Sequence, residues 1–341
     1  MGKKIEWLDC TLRDGSYITH SNFGDAQIKG IISCLQTAGA DIIECGWLKN
    51  DPYKPGTTYY HVPSDLEQYL DNRSSDFQYL VMIDWDRYDI SVLPECDHKS
   101  IDGIRVVFPH GKHHEGIEVG KAIKKKGYKV YFQAANTLAY SDDDLHDLAK
   151  AINEANPVAI SIVDTFGAMY FEDLERIVNV LDKEIDPDIQ IGFHSHNNQQ
   201  LSFALTIHFM NLMKKSKHKI IVDSSISGMG RGAGNATSEL LVSYLNRKEG
   251  GSYNLGAVLK AIDLYMNDFR KKYEWGYSTP YFLAGYNCVH VNNVAYLLEK
   301  HDCSMADMER VFFSMNPNDR KKYDYDLLEE KYLEEQKKKQ L

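Results

Sequence analysis

Short apolar segments alternate with longer amphipathic segments along most of this chain. Eight short segments are rich in β-branched and aromatic residues and are apolar at consecutive positions, which is typical of strands buried on both faces of a parallel sheet. They span residues 5–10, 41–47, 77–83, 101–108, 129–134, 158–163, 189–194 and 219–225. The pattern therefore predicts eight strands.

The segments between these strands have apolar residues three and four positions apart, which predicts amphipathic helices. Examples are "DAQIKGIISCLQTAG" and "DDDLHDLAKAINEAN". Ser141 or Asp142 is a suitable N-cap, and Gly39 and Gly127 are suitable helix ends. Eight strand–helix units predict an α/β fold of the (β/α)8 TIM-barrel type. An open doubly wound sheet is the alternative, but that fold does not require eight units.

The alternation ends near residue 250, where "GGS" is followed by segments of helical period. The clearest of these segments are "NLGAVLKAIDLYMNDFRKKY" and "VNNVAYLLEKH". We therefore expect a TIM-barrel catalytic domain over residues 1–250. Residues 251–341 are expected to form a C-terminal helical domain that covers the mouth of the barrel.

Composition narrows the classes of function. The 341 residues carry a formal net charge of −10, which disfavours nucleic acid or an anionic membrane as the main partner. The six cysteines include no CxxC pair, as expected of reduced thiols in a cytoplasmic protein. No apolar run approaches the roughly 18–20 residues of a membrane span, and the first ten residues contain no apolar signal core.

Polar side chains gather where the predicted strands end. In TIM barrels the active site lies at the carboxyl ends of the strands, so these residues are the candidates for chemistry. The first strand leads into "DCTLRDGSY", the seventh into "HSHNN" and the eighth into "GMGRGAGNA". The strand-end candidates are Asp9, Thr11, Arg13, Asp14, Glu44, Arg105, Gln133, Asn136, Asp164, Thr165, His194, His196 and Asn235.

His194 and His196 are the strongest of these signals. Residues two apart in a strand point to the same side, so both imidazoles face one point. The first, seventh and eighth strands are neighbours in a closed barrel, which brings Asp14 to the same rim and places Asn235 within reach as a fourth ligand or a water-holder. Two imidazoles and a carboxylate, without thiolate, favour Mn2+ or Mg2+, with Co2+ or Zn2+ as alternatives.

These motifs resemble those of the DRE-TIM metallolyase superfamily, also called the HMG-CoA lyase-like family. "DCTLRDGSY", "HSHNN" and "GMGRGAGNA" occur in the family's order and span the whole predicted barrel. The segment "VDTFGAMY" after the sixth strand is similar to the 4-hydroxy-2-oxovalerate aldolase branch in particular. The resemblance implies a divalent-metal-dependent lyase that makes or breaks a carbon–carbon bond next to the carbonyl of a pyruvate-like 2-oxo acid.

The resemblance also implies roles for individual residues. Asp14, His194 and His196 would bind the metal, and Arg13 would face the enolate oxygen. Glu44 and Asn136 stand at strand-end positions that are polar in the family and would support the site around the substrate. Thr165, at the end of the sixth strand, and His290, in the C-terminal segment, are expected to contact the substrate on their position in the sequence alone. The substrates would be a 2-oxo acid and an aldehyde. Relatives in this branch often pass the aldehyde to a partner dehydrogenase, and a homo-oligomer is the other assembly left open.

One position departs from the family. The pyruvate aldolases place a histidine three residues after the motif aspartate, as the base on the substrate hydroxyl, whereas this chain has Tyr17. A tyrosine has an ordinary pKa near 10 and is a weak base at neutral pH. Tyr17, His20 and His290 are therefore the candidates for moving this proton.

Other classes of function are weighed against the aldolase. A Claisen-type acyl-CoA condensing enzyme of the isopropylmalate synthase kind shares the metal motif, but it predicts a larger C-terminal domain than the residues after 250 provide. An acyl-CoA lyase of the HMG-CoA lyase kind is a further alternative. A non-catalytic or hydrolytic metal barrel is the third, although amidohydrolases carry their HxH pair on the first strand rather than the seventh.

Overall fold

The computed structural model describes residues 4–70 and 73–339, and the strands in them form a closed parallel barrel. Each barrel strand pairs in parallel with the next, and the first strand, β1 (Ile5–Asp9), pairs with both the last, β9 (Ile220–Ser224), and the second, β2 (Ile42–Leu48), which closes the ring. The barrel strands are β1 (Ile5–Asp9), β2 (Ile42–Leu48), β4 (Gln78–Asp84), β5 (Gly103–Pro109), β6 (Lys129–Ala135), β7 (Ala159–Asp164), β8 (Gln190–Ser195) and β9 (Ile220–Ser224). A short strand, β3 (Tyr59–Tyr60), extends β2 outside the ring.

Helices follow the strands and cover the outside of the barrel. Two short helices, α1 (Thr11–Asp14) and α2 (Ser16–Thr19), directly follow β1. The helices that cover the barrel are α3 (Asp25–Ala38), α4 (His113–Lys125), α5 (Asp142–Ala155), α6 (Phe171–Glu184), α7 (Ser202–Leu212) and α8 (Ser238–Lys248). No long helix lies between β4 and β5, where the described residues contain only a short 3-10 turn, Ile90–Val92.

The TIM-barrel prediction is confirmed, and each observed strand begins and ends within two residues of its predicted bounds. Local signals account for much of this agreement. The Ser141 side chain accepts a hydrogen bond from the backbone N–H of Asp144 and caps α5. Gly39 ends α3 in the left-handed conformation, with a φ of 80°, which glycine adopts without steric cost.

The core has two parts around the barrel. A large apolar cluster fills the layer between strands and helices, and a smaller one fills the interior near the start of the strands. The smaller cluster contains Leu8, Ile42, Leu80 and Tyr131. Each such fully buried side chain contributes about 1.5–3 kcal/mol relative to exposure. Above it, toward the strand ends, the interior holds charged residues instead, and these form the site described below.

The segment after residue 250 consists of helices joined by short loops. Its helices are α9 (Leu255–Ala261), α10 (Asn267–Lys272), α11 (Thr279–Tyr286), α12 (Val291–His301), α13 (Met305–Ser314), α14 (Pro317–Arg320) and α15 (Tyr325–Lys339), with a π-helical turn, Ile262–Met266, between the first two. Side chains of α9 and α10 belong to the apolar cluster of the barrel, whereas α11, α12, α13 and α15 share a separate cluster that begins at Leu283. The domain boundary at residue 250 stays a prediction.

None of the helices in residues 4–70 and 73–339 combines the length and the apolar character that crossing a bilayer would require.

Candidate metal centre and active-site cavity

A cavity of about 680 Å³ opens at the carboxyl ends of the barrel strands. Its inner wall contains Arg13, Asp14, His194 and His196, and its outer wall includes Asn318, Lys321 and Tyr323 from the C-terminal helical segment. The cavity therefore lies between the strand ends and that segment. This is the position in which TIM barrels carry their active sites.

Asp14, His194 and His196 converge at the bottom of the cavity. One ligand atom from each lies within 4.8 Å of the other two, and all three side chains are buried. Asp14 reaches this point because α1 turns the chain inward after β1, and the two histidines do so from the end of β8. The imidazole rings are 5.0 Å apart at an angle of 88°, so they approach a common point from two directions.

Hydrogen bonds to each Nδ1 fix the orientation of the two rings. The Nδ1 of His194 lies 3.0 Å from Asp223 Oδ2, and the Nδ1 of His196 lies 3.1 Å from the carbonyl oxygen of Asp164. Because a carboxylate and a carbonyl oxygen only accept, each Nδ1 carries the hydrogen. Each Nε2 is then left free to offer its lone pair, which is the state in which histidine binds a metal.

The surroundings of His196 Nε2 indicate whether a cation fits between the two imidazoles and the carboxylate. This nitrogen is buried without a hydrogen-bond partner and lies 3.5 Å from Asp14 Oδ2, too far for a good N–H···O bond. Two buried acceptor atoms that face each other in this way are unfavourable unless a positive charge lies between them. The donor set, two imidazole nitrogens and a carboxylate oxygen, therefore fits a divalent cation.

The carboxylate of Asp14 is held by neighbours on both oxygens. Arg13 Nη1 donates to its Oδ1 at 2.5 Å, and Asn235 Nδ2 donates to its Oδ2 at 2.6 Å. Burial opposes ionisation of Asp14, but the charge of Arg13 outweighs it and holds the pKa of Asp14 well below its ordinary value. The amide of Asn235 thus orients the carboxylate, and its Oδ1 is buried without a partner. Its predicted role as a fourth ligand stays a prediction.

A buried ion network joins Arg13 to His194 through the barrel interior. Glu44 Oε2 accepts from Arg13 Nε at 2.8 Å and from Arg105 Nη1 at 3.0 Å. Arg105 Nη2 in turn donates to Asp223 Oδ2 at 2.6 Å, the same oxygen that contacts His194. Every member is almost fully buried, so the side chains have little freedom to change rotamer.

The remaining predicted residues fall into two groups. Tyr17, Asn136, Thr165 and His290 line the cavity, and the backbone N–H of Asn136 donates to Thr165 Oγ1 at 2.6 Å. His20 is exposed and is not among the residues that line the cavity. Glu44 also does not line the cavity, because it lies behind Arg13 and holds the guanidinium.

Arg231 is a cavity residue that the sequence analysis did not identify. Its backbone N–H lies 3.4 Å from Asp14 Oδ2, and its guanidinium lies 4.7 Å from the centre of the Tyr17 ring. Its Nη2 donates to His290 Nε2 at 2.6 Å, because a guanidinium can only donate. Arg231 lies in a glycine-rich turn in which Gly232 and Gly234 adopt positive φ. The direction of its side chain therefore could not be predicted from the sequence.

The two other candidate proton carriers have strongly perturbed pKa values. Burial raises the pKa of Tyr17 above its ordinary value, although Arg231 and Arg13 act in the opposite direction. Burial and the charge of Arg231 lower the pKa of His290 to about 2, so its imidazole is neutral at physiological pH. The lone pair on His290 Nε2 is already engaged by Arg231. At neutral pH, Tyr17 therefore carries a proton and His290 does not accept one readily.

A second group of potential ligands lies outside the barrel mouth, between α4 and α5. His113 and His114 both place Nε2 within 3 Å of Asp147 Oδ2, at 2.9 and 2.8 Å. His114 and Asp147 are exposed. In this group each Nε2 can donate its hydrogen to the carboxylate, so the contacts are satisfied without a cation.

Sequence comparison connects this geometry with known proteins. Residues 113–266 match the model of the HMGL-like family. The chain is 25% identical over 252 residues to the oxaloacetate decarboxylase of Mycobacterium tuberculosis, covering 71% of this chain and 70% of that protein. It is 24% identical over 276 residues to the 4-hydroxy-2-oxovalerate aldolase of Pseudoalteromonas translucida, covering 77% and 74%.

Solved structures share the fold. The N-terminal domain of a candidate aldolase from Bacteroides vulgatus superposes with a TM-score of 0.73 at 27% identity, over 87% of this chain and 97% of that one. The HMG-CoA lyase of Bacillus subtilis superposes with a TM-score of 0.60 at 16% identity, over 78% and 93%. The predicted resemblance to the DRE-TIM metallolyase superfamily is confirmed.

Proposed function

We propose that this chain, a relative of the DRE-TIM metallolyases, is a divalent-metal-dependent carbon–carbon lyase acting on a pyruvate-like 2-oxo acid. In the cleavage direction, a 4-hydroxy-2-oxo acid would lose the proton of its hydroxyl group and its C3–C4 bond would break. The products would be an aldehyde and the enolate of pyruvate, which then takes up a proton at carbon. The small-molecule partners would be the 2-oxo acid and the aldehyde.

The observation that carries this proposal is the shared orientation of His194 and His196. Both rings are fixed through Nδ1, which leaves both Nε2 lone pairs free where the two histidines converge with the carboxylate of Asp14. A structural role would not require two buried acceptors to face a carboxylate. A divalent cation held by these residues supplies positive charge that polarises the keto group of a 2-oxo acid.

Arg13 is placed to stabilise the oxygen on which negative charge develops. Its Nε and Nη1 are engaged by Glu44 and Asp14, while its Nη2 has no acceptor among the described residues and the side chain lines the cavity. An arginine stays charged at any working pH, and a fixed guanidinium needs no reorganisation as the charge forms. Glu44 thus serves as a positioning residue that acts through Arg13.

Tyr17 is the residue best placed to exchange a proton with the substrate. Its hydroxyl group remains protonated at neutral pH because the ordinary pKa of tyrosine is already near 10, so it can donate to the alkoxide oxygen of a newly formed aldol. In cleavage the reverse step requires the deprotonated phenolate of Tyr17, which would take the proton from the substrate hydroxyl. His290 instead fixes the guanidinium of Arg231.

Decarboxylation is the second candidate reaction, because one similar protein is named oxaloacetate decarboxylase. Loss of CO2 from oxaloacetate and cleavage of a 4-hydroxy-2-oxo acid both release the enolate of pyruvate. The two reactions differ in the departing group, and decarboxylation needs no proton carrier at a hydroxyl oxygen. Condensation of acetyl-CoA with a 2-oxo acid is the remaining alternative, which an assay with acetyl-CoA tests directly.

The experiment is metal-dependent exchange of the methyl protons of pyruvate in D2O, followed by proton NMR. We expect exchange with Mn2+ and none after chelation. Asp14→Asn should abolish both Mn2+ binding and exchange, whereas the matched Asp147→Asn, in the second histidine group, should change neither. Arg13→Lys should bind Mn2+ within a few-fold of wild type but exchange about 100- to 1,000-fold more slowly.

Two results would contradict the proposal. Absence of exchange by the Mn2+-loaded protein would remove the enolate chemistry altogether. Loss of metal in Asp147→Asn rather than in Asp14→Asn would place the cation in the other group. Product analysis with oxaloacetate and with 4-hydroxy-2-oxovalerate then separates the decarboxylase from the aldolase.

A further inference from the structure

The outer wall of the cavity is rich in cations that have no carboxylate partner. Arg231, Lys321 and Lys322 all line it, and among the described residues no carboxylate oxygen lies within 4.0 Å of their charged nitrogens. A fourth cation, Arg87, lies 3.8 Å from Asp84 and 4.0 Å from Asp86, which are the carboxylates of this outer wall. The two carboxylates thus offset two of the four positive charges and leave a net positive charge.

This local excess is unusual in a chain of formal net charge −10. Like charges that share one cavity repel each other, and the repulsion is relieved when an anion binds among them. The Nε of Arg231 is also buried and has no hydrogen-bond partner. A buried donor without a partner costs roughly 1–3 kcal/mol, which a bound acceptor would recover.

Arg231 connects this cationic wall to the metal centre. Its backbone N–H is near Asp14, its guanidinium lies over the Tyr17 ring, and its Nη2 contacts His290. A molecule that lies between the enolate carbon and the cationic wall would therefore pass the Tyr17 hydroxyl. That is the place of the second substrate, the aldehyde, in the proposed reaction.

We infer that the aldehyde partner is an anion, bearing a carboxylate or phosphate group that binds to Arg231, Lys321 and Lys322. The inference rests on the proposed function, because it identifies the class of that reaction's second substrate. The cavity of about 680 Å³ can hold such a molecule together with pyruvate, since pockets for drug-sized ligands span roughly 300–1,000 Å³. The C-terminal helical segment, which supplies both lysines, would thus determine specificity.

The experiment compares three aldehydes as partners of pyruvate: propionaldehyde, succinic semialdehyde and glycolaldehyde phosphate. We expect at least one of the two anionic aldehydes to have a kcat/KM at least tenfold above that of propionaldehyde, and the better one identifies the group as carboxylate or phosphate. In the double variant K321Q/K322Q this advantage should fall about tenfold or more, because one charge-assisted contact contributes about that factor. Propionaldehyde turnover should stay within about twofold.

Two controls make the result specific. The double variant K214Q/K215Q alters an adjacent, exposed lysine pair outside this cavity and should leave all three aldehydes unchanged. Proton exchange of pyruvate alone should be unchanged in K321Q/K322Q. A raised KM for pyruvate in that variant would instead assign the lysines to the 2-oxo acid and overturn the inference.

Failure of the inference can be distinguished from failure of the proposed function. If pyruvate exchange occurs but propionaldehyde reacts as efficiently as the anionic aldehydes, the proposed lyase activity is retained and the inference of an anionic aldehyde is overturned. If no exchange occurs, the proposed lyase activity is refuted. The anion site can then be tested by binding glycolaldehyde phosphate alone, with the fluorescence of Trp47 and Trp85 in the cavity wall as the signal. Saturable binding that weakens in K321Q/K322Q would support an anion site, and absence of binding would refute it.

Discussion

Replacing Asp223 by asparagine tests how the metal site is oriented. Asp223 Oδ2 contacts both His194 Nδ1, at 3.0 Å, and Arg105 Nη2, at 2.6 Å, and the side chain is buried. Asn keeps the shape but removes the negative charge that holds the hydrogen on His194 Nδ1. Loss of such a partner weakens metal affinity about 10- to 100-fold, or roughly 1.4–2.7 kcal/mol.

The same substitution also affects stability, and the two effects can be measured separately. Removing one partner of a buried ion pair costs roughly 3–5 kcal/mol, and we expect about 3 kcal/mol because Glu44 still neutralises Arg105. Urea denaturation of the metal-free protein gives this cost, and calorimetric titration with Mn2+ gives the change in affinity.

The matched control for this prediction is Asp182→Asn. Asp182 Oδ1 lies 3.9 Å from the Nε2 of a different buried histidine, His218, whose Nδ1 contacts the Ile189 carbonyl at 2.7 Å. The control should bind Mn2+ as the wild type does. If folded Asp223→Asn bound Mn2+ as tightly as Asp182→Asn, His194 would not be a ligand oriented by Asp223, and the account of the site would be wrong.

Three further substitutions have distinct outcomes. Gly230→Ala would place a Cβ against Asp14 Oδ2 and Asn235 Nδ2, so we expect Mn2+ affinity to fall more than tenfold, while Gly256→Ala, in α9, should leave it unchanged in the same titration. Tyr17→Phe should bind Mn2+ normally but lower aldol turnover about 100-fold or more in a steady-state assay; unchanged turnover would exclude Tyr17 as the proton carrier. Burial raises the pKa of Asp9 to about 6, against 3.8 when unfolded, so its contribution to stability is full below pH 4 and is lost as the pH rises through 6. The difference in free energy of unfolding between wild type and Asp9→Asn, from urea denaturation, should therefore fall by about 2.5 kcal/mol between pH 4 and 7, and a constant difference would refute this.

The barrel could be predicted from the sequence because its strands are apolar on both faces. A parallel strand buried on both sides gives a short continuous apolar run, and glycines and caps such as Gly39 and Ser141 mark the helices between. The convergence of Asp14, His194 and His196 also followed from the fold, since strand order alone places these strand ends side by side. That these residues bind a metal stays a prediction.

Other features of the site could not be predicted from local patterns. Asp223 and Arg105 lie within apolar strands, and their pairing depends on which side chains meet across the barrel interior. The only hint of this ion pair in the sequence was the presence of two opposite charges inside buried strands. The position of the Arg231 side chain in the cavity wall depends on the backbone path of a glycine-rich turn. His20 was only six residues from Asp14 in sequence, but α2 ends there in a left-handed residue with a φ of 50°, and the side chain is exposed.

The most direct test of the central claim is the position of manganese in a crystal of the protein, located by anomalous diffraction. We expect one strong peak in the cavity, roughly 2.0–2.3 Å from Asp14, from His194 Nε2 and from His196 Nε2. A peak at His113, His114 and Asp147 with none in the cavity would contradict it, as would a Mn2+-saturated crystal with no peak at either place.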